Sequence, residues 1–520
     1  MKISENWLRE WVNPPVDATA LAEKLNLAGL ECEAEPLTVD PPRVVVVARI
    51  LKASPHPQAD RLQVCEVDAG TGAPLQIVCG AANARPGILV PAALPGAVLP
   101  GGKSIGAANL RGVDSAGMLC SASELGLAEK SEGLLELDLN ARPGTPIEKH
   151  LGLDDRLLNL ELTPNRGDCL SIAGVARELT ALYNLTTKPP LMRPAVVSAV
   201  HVKDVLVEDA AGCPHYAGRA VTGLNPKART PDWMRERLRR SGIRTIHPVV
   251  DITNYVMLEL GQPMHGFDYD KLRGPVRVRR ARAGEKLALL NEQTIQLDPA
   301  DLLIADDSGP LVLAGVMGGT ASGVTTATTK VFLEAACFDT VTVAGSGRRH
   351  KLLSDSRYRN ERGVDPALQR RALDRAAVLI EQICGGAGPV EAGPIVEVGR
   401  APQYGAVIHL RHSRIERLLG IPVPVREVPA LLARLGIELQ AEEAGTWRAR
   451  VPTWRYDLRI EADLVEEVGR LYGYEHIPAR PYAASLPPTA APEAIRPLDA
   501  LKDLLAARGY QEVVTYSFVD

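Results

Sequence analysis

Between Arg43 and Leu127 the chain passes through short β-branched runs separated by Gly, Pro and Asp turn residues. The runs are Val44-Val45-Val46-Val47, Leu62-Gln63-Val64-Cys65-Glu66-Val67 and Gln76-Ile77-Val78-Cys79. Short strands at this spacing read as a small closed β-barrel, the arrangement in which such a sheet leaves fewest edges unpaired. Judged by its strands alone, such a barrel is a generic binder of oligonucleotides or oligosaccharides.

A chain of 520 residues, 46% of them hydrophobic, can bury several cores, and a length prior gives about three to five domains. A net charge of -4 argues against a protein that coats nucleic acid through global charge. Contact with a polyanion must be local. One candidate is the run containing Lys227, Arg229, Arg235, Arg237, Arg239, Arg240 and Arg244, opposed locally only by Asp232 and Glu236. It reads equally as a solvated helix surface. The eight cysteines are scattered without a C-x-x-C pair, which speaks against zinc and against a disulfide framework. Met1 to Trp7 lacks the apolar core of a secretory signal, and no apolar run approaches a membrane span. A cytoplasmic chain with no membrane partner is expected.

Ser4 and Asp17 are candidate N-caps of two helices, the second ending at Gly29. With the helical run Ile172 to Tyr183 they form an N-terminal α+β domain, 1–39 and 148–190, split by the barrel at 40–147. Lys188 to Pro194 reads as a linker. An α+β domain over 200–400 follows, without a phosphate-cradling glycine loop. A winged-helix-like small domain over 401–478 comes next. Pro478 to Pro497 is a Pro/Ala-rich linker, Leu498 to Ala507 an amphipathic helix, and Val513 to Phe518 strand-like. A strand and one helix form no core of their own, so the tail over 479–520 packs on a partner or is part of something longer.

Three constellations could carry chemistry. Thr253, Asn254 and His265 interrupt apolar runs, which signals a pocket or a buried hydrogen-bond network. Gly315 and Gly318 permit close backbone approach, and Glu334 is a lone carboxylate in an apolar strand. It needs a donor, either a ligand or one of Arg348, Arg349 and Arg362. Asp463, Glu466 and Glu467 share a helix face and with Asp457 could form a hard-oxygen magnesium cluster. The alternative is an acidic first turn with Glu466 paired to Arg470.

The barrel segment holds four ordered blocks: Ser54 to Leu62, Gly80-Ala81-Ala82-Asn83, Leu94 to Gly101 and Leu110 to Ser121. They resemble the tRNA-binding OB-fold module of several tRNA-handling proteins. Further along stand Pro263 to Asp268, Glu361 to Pro366 and Arg455 to Glu467, with Trp7 to Val12 before them and Gly509 to Phe518 after. The whole series resembles the β subunits of bacterial phenylalanine–tRNA ligases. That resemblance implies a class II aminoacyl-tRNA synthetase subunit in an α2β2 tetramer. The α subunit would bind ATP and activate phenylalanine, while the β subunit binds tRNA(Phe) and hydrolyses mischarged tyrosyl-tRNA(Phe). The implied fold is a multidomain α+β chain with an inserted OB-fold barrel, an α+β editing domain, a winged-helix-like domain and, over 479–520, the start of a class II synthetase-like domain.

The resemblance also implies site residues. His265 and Glu334 fall on the catalytic editing pocket, with Thr253, Asn254, Gly315 and Gly318 on its substrate-binding lining. Asp457, Asp463, Glu466 and Glu467 fall on magnesium positions at the contact with the α subunit. Glu334 is the candidate acceptor for a phenolic hydroxyl, and a site that must be met by a hydroxyl rejects phenylalanine by roughly 10⁴–10⁵. His265 is the candidate to orient water or the tRNA terminus. Ser356 and Asn360 stand where the family usually carries alanine and an aromatic, a change of shape or polarity near the pocket. The family also continues beyond Asp520. Two competing readings are a free-standing tRNA-binding protein and a partial gene product with a vestigial pocket.

Overall fold

Ser4 Oγ accepts from Trp7 N at 3.1 Å and Asp17 Oδ1 from Ala20 N at 2.9 Å, opening helices Glu5–Trp11 and Ala18–Leu27. Each cap satisfies an amide that the helix itself leaves unpaired. These helices belong to a computed structural model that describes residues 1–38, 40–386, 388–401, 405–479 and 496–516. They pack on a three-stranded antiparallel sheet ordered Lys2–Ser4, Arg156–Glu161, Glu31–Pro36. Its middle strand comes from beyond the barrel: the chain leaves at Pro36 and returns at Arg156, directly opposite.

Helix Ile172–Tyr183, capped by Ser171, completes this part. Gly174 lies in its first turn, where a Cβ would overlap the carbonyl oxygen of Asp168. Glycine to alanine within a helix ordinarily stabilises by up to ~1 kcal/mol. Here the obstacle is backbone, so Gly174→Ala is expected to destabilise by about 1–3 kcal/mol in chemical denaturation.

In the second part, the long strand Arg43–His56 pairs with Leu89–Leu99 on one side and Ala59–Asp68 on the other. Leu75–Cys79 and Met118–Leu119 lie at the two ends of the ladder. Register shifts along Arg43–His56 let the strand bend. The sheet curls until its ends meet, joined by Ala116 N to Gln76 O (2.8 Å), Val78 N to Ser115 Oγ (3.0 Å) and Gln76 Nε2 to Asp114 O (2.8 Å). The barrel is thus closed by a stitched seam and not by a further strand ladder.

The central part stacks two sheets. One is ordered Met264–Asp268, Lys330–Cys337, His215–Thr222, Glu391–Gly399; the other Val205–Val207, Val276–Arg280, Leu302–Asp306, Gly309–Leu313, Met317–Gly318. Between them lie Tyr216, Phe267, Phe332, Val278, Ile304 and Leu313, all buried. Ala217, Val221, Leu333 and Ala335 point the other way, as strand alternation requires. They join helices Pro248–Leu260 and Gln369–Cys384 in a core that runs on into the N-terminal part, where Trp7 stacks on Tyr255 at 4.8 Å.

Strands Val407–Arg411, Thr446–Arg450 and Glu438–Glu443 carry helices His412–Leu419, Glu427–Arg434 and Glu461–Tyr472 on a separate core. Residues 1–476 form one compact unit and 477–520 a second. In the second, helix Leu498–Ala507 leaves Leu498, Leu501, Leu504 and Leu505 exposed. The strand expected over Val513–Phe518 is not formed at 513–516, and its remainder lies outside the described residues, as does most of the linker Pro478–Pro497. No helix among the described residues is long and apolar enough to cross a membrane.

Candidate functional site

His265 and Glu334 are register partners on neighbouring antiparallel strands, so their side chains share one sheet face, the face turned toward the second sheet. Gly218 is Glu334's partner on the opposite side. A Cβ there would overlap the ring of Phe332, so glycine is what lets that ring lie beside the carboxyl. Glu334 is buried and makes no hydrogen bond or ion pair among the described residues. Burial alone pushes its carboxyl up to about 8. At neutral pH it is therefore mainly a neutral acid, able to donate and to accept. None of its three candidate arginines reaches it: Arg349 pairs with Asp301, Arg362 with Glu361, and Arg348 bonds the Ala344 carbonyl.

His265 keeps some exposure, but its Nε2 is shut off from solvent and has no partner among the described residues. Burial pulls its pKa down to about 4, so the ring is neutral at physiological pH. Its ring lies edge-on to Phe267 at 4.6 Å. Gly318 backs it, since a Cβ would come within 2.5 Å of His265 Cε1. A feature that local spacing did not reveal is Tyr216, two residues along from the Glu334 rung. Its buried hydroxyl lacks a partner among the described residues, and burial first, then the Glu334 charge, raises its pKa well above the usual tyrosine range.

Gly315 adopts φ +69°, and a Cβ there would press on Val343 and Phe338. Its carbonyl accepts from Ser356 Oγ (3.2 Å) and Asn360 Nδ2 (3.1 Å), while Ser354 Oγ donates to Val316 O at 2.6 Å. Ser356 and Asn360 thus converge on one carbonyl. Thr253 and Asn254 stand on helix Pro248–Leu260, where Thr253 Oγ donates to Val250 O. That helix meets the sheet through Val249 against Gly266, which points away from the His265 face. No hydrogen bond joins Thr253 or Asn254 to His265 or Glu334 among the described residues.

The basic run from Lys227 to Arg244 is neither a free polyanion patch nor merely a solvated surface. Arg229 pairs with Glu136, Arg235 with Asp232, Arg237 with Glu10, Arg239 with Glu236 and Arg240 with Asp155. Asp232 and Asp138 exchange backbone-to-carboxylate hydrogen bonds of 2.9 and 2.7 Å. Helix Asp232–Arg240 is a clamp between the barrel, the N-terminal part and helix Pro248–Leu260. Among the described residues Lys227 and Arg244 are exposed and in no ion pair, and Lys227 lines a cleft of about 900 Å³ beside the barrel with Arg85, Arg229 and Arg235.

Three of the four carboxylates expected to hold magnesium are otherwise engaged. Asp457 and Glu467 both receive Arg455, and Glu467 also receives Arg470, whose second partner is Glu178. The flanking arginines hold Glu467 below the usual carboxylate range against the opposing effect of burial. Asp463 accepts from the Arg459 and Ile460 amides as the helix cap, and Glu466 is exposed. Arg470 therefore does not pair with Glu466. No group of three or more ligating side chains that could hold a metal occurs among the described residues. The set does not fit a magnesium ion.

Three family models match: the "Putative tRNA binding domain" at residues 45–146, the B3/4 domain at 212–385 and the tRNA synthetase B5 domain at 408–474. The phenylalanine–tRNA ligase beta subunit of Methylococcus capsulatus is 51% identical over all of this chain, and that of Chromobacterium violaceum 49%. The chain spans 65% and 66% of their lengths. An N-terminal fragment of the phenylalanyl-tRNA synthetase beta subunit of Pyrococcus horikoshii is 17% identical with a TM-score of 0.33, over 61% of this chain and 88% of that one. A likeness at that level supports nothing further.

Proposed function

Because the chain belongs to the phenylalanine–tRNA ligase beta subunit family, we propose that it docks tRNA(Phe) and hydrolyses tyrosyl-tRNA(Phe) within such an enzyme. The observation that carries this reading is the His265–Glu334 rung, two polar groups side by side on one sheet face, without a hydrogen-bond partner among the described residues. A phenolic hydroxyl entering there donates to the Glu334 carbonyl oxygen and accepts from its acid proton. Phenylalanine would bury that carboxyl unanswered, which costs about 1–3 kcal/mol for each group left unpaired. The neutral His265 ring is a poor base at its lowered pKa and suits holding the attacking water or the terminal ribose. Water then adds to the ester carbonyl, and the ribose oxygen leaves with a proton.

Gly315 and Gly318 are assigned to the lining of this pocket; Thr253 and Asn254 stand on the helix packed against the other face of the sheet and are left out of it. The barrel, in this reading an OB-fold, grips the RNA. The 408–474 part is winged-helix-like, and 479–520 opens a class II synthetase-like domain. An alpha subunit in an α2β2 assembly supplies ATP-dependent activation, in the cytoplasm.

Incubating the chain with tyrosyl-tRNA(Phe) and phenylalanyl-tRNA(Phe) tests this. Selective release of tyrosine is expected, with His265→Ala slowing it about 10²-fold, the scale of a misplaced reactant. An unchanged rate would remove His265 from the chemistry.

A further inference from the structure

Leu290 lies at the tip of the hairpin formed by Lys286–Ala288 and Thr294–Gln296. Alternation turns Leu287 and Leu289 into the core and Ala288 and Leu290 outward, so a polar residue is what position 290 calls for. It holds instead a leucine that is 54% exposed. The tip is held firmly: Leu290 N donates to Gly318 O and Thr320 N to Ala288 O, each at 3.0 Å, which seats the hairpin on the edge of the sheet that ends in Met317–Gly318. A Cβ on Gly318 would stand 2.5 Å from His265 Cε1 and 3.0 Å from Leu290 Cδ1, so the imidazole and the leucine flank one glycine.

Glu334 stands on an inner strand, His265 on the outermost strand of that sheet, and Leu290 on the hairpin beyond it. Exposure rises in the same order: Glu334 is 5% exposed, His265 partly, and Leu290 most of all. The open side of the site is therefore the Leu290 side. A tyrosyl ester of a terminal adenosine has an order of its own: phenol, ester, ribose, base. With the phenol at Glu334 and the ester beside His265, the base is the part left at Leu290. On the editing reading of this site, we propose that Leu290 is the contact for the base of the 3′-terminal adenosine. An apolar side chain suits that task, because a base has a flat face that gains from leaving water whatever its edge is bonded to. Ribose and phosphate, polar on every side, would gain nothing from a leucine.

The test reads binding and not hydrolysis, so that an inert pocket and a misplaced base give different results. The probe is 3′-deoxy-3′-(tyrosylamino)adenosine, an amide in place of the ester, and its companion is the same amide on a methyl riboside, which lacks the base. Calorimetry on the 520-residue chain gives both affinities. Leu290→Ser is expected to weaken the adenosine ligand about tenfold, the scale of withdrawing one leucine face from contact. Leu290→Met should keep most of the affinity, and both changes fall on an exposed tip where folding is not at stake. Base and leucine form one contact, so removing both should cost no more than removing either. Equal affinity for the adenosine ligand in the parent and Leu290→Ser, additive losses, or no binding by the parent would each overturn the proposal. Leu290-dependent binding without release of tyrosine from tyrosyl-tRNA(Phe) would uphold it and overturn the hydrolytic reading alone.

Discussion

Glu334→Ala is expected to remove two or more orders of magnitude of the preference for tyrosyl-tRNA over phenylalanyl-tRNA. Discrimination by a required hydroxyl reaches roughly 10⁴–10⁵ when the buried group must be satisfied, but falls to about 10² or less when a pocket merely tolerates it. The readout is the ratio of first-order deacylation constants for the two substrates. A ratio unchanged by the substitution would assign recognition elsewhere, with the Tyr216 hydroxyl the next group to examine. Stability gives an independent measure of the same carboxyl. Its folded pKa of about 8 lies above the ordinary 4.5, so the folded chain keeps a proton that the unfolded chain has released. Its contribution is intact below about pH 4.5 and is lost as pH rises toward about 8. Each unit of that interval costs about 1.4 kcal/mol. Glu334→Gln should therefore be more stable than the parent at pH 8 and indistinguishable at pH 4 in denaturant unfolding.

Arg455→Met is expected to cost about 3–5 kcal/mol, the penalty for stranding buried charges whose partner is removed. Arg455 is 2% exposed at its side chain and is the cation of Asp457, and it shares Glu467 with Arg470. Arg470 in turn bonds Glu178 and the Ala28 carbonyl in the N-terminal part. The substitution leaves Asp457 without a cation and loosens the join between helix Glu461–Tyr472 and helix Ile172–Tyr183. Lys52→Ala at the exposed Lys52–Glu66 pair is the control, expected to change stability by no more than about 1 kcal/mol. Equal losses in both would mean that the buried network adds nothing beyond a surface pair.

The features legible in the sequence are those whose cause is local. Ser4 and Asp17 cap helices because a hydroxyl or carboxylate there reaches an amide three residues on. The barrel strands show because alternation and turn residues are written at short range. Partner choice was not legible. Within the run Lys227 to Arg244 only Asp232 and Glu236 are near in sequence, yet Glu10, Glu136 and Asp155 take three of the arginines from 227, 93 and 85 positions away. Glu466 and Arg470 have the spacing of a helix pair, but Glu467 wins because it is buried beside Arg455, where Coulomb attraction is less screened. At the candidate site, the sequence identified Glu334 as a carboxyl in need of a donor. That its rung partner is His265, and that the donor is missing, depends on strand register, which no local pattern encodes.

The rung at which Pro36 faces Arg156 has a topological reading of its own. To the three-stranded sheet, everything between those residues is a hairpin loop grown to the size of a module. A two- to five-residue turn is all that antiparallel neighbours need to be joined. The host fold therefore contains a splice point at which the whole barrel can be exchanged or left out without rethreading the chain. Spliced shut there, it becomes a shorter protein in which what the His265–Glu334 face accomplishes unaided can be weighed by itself.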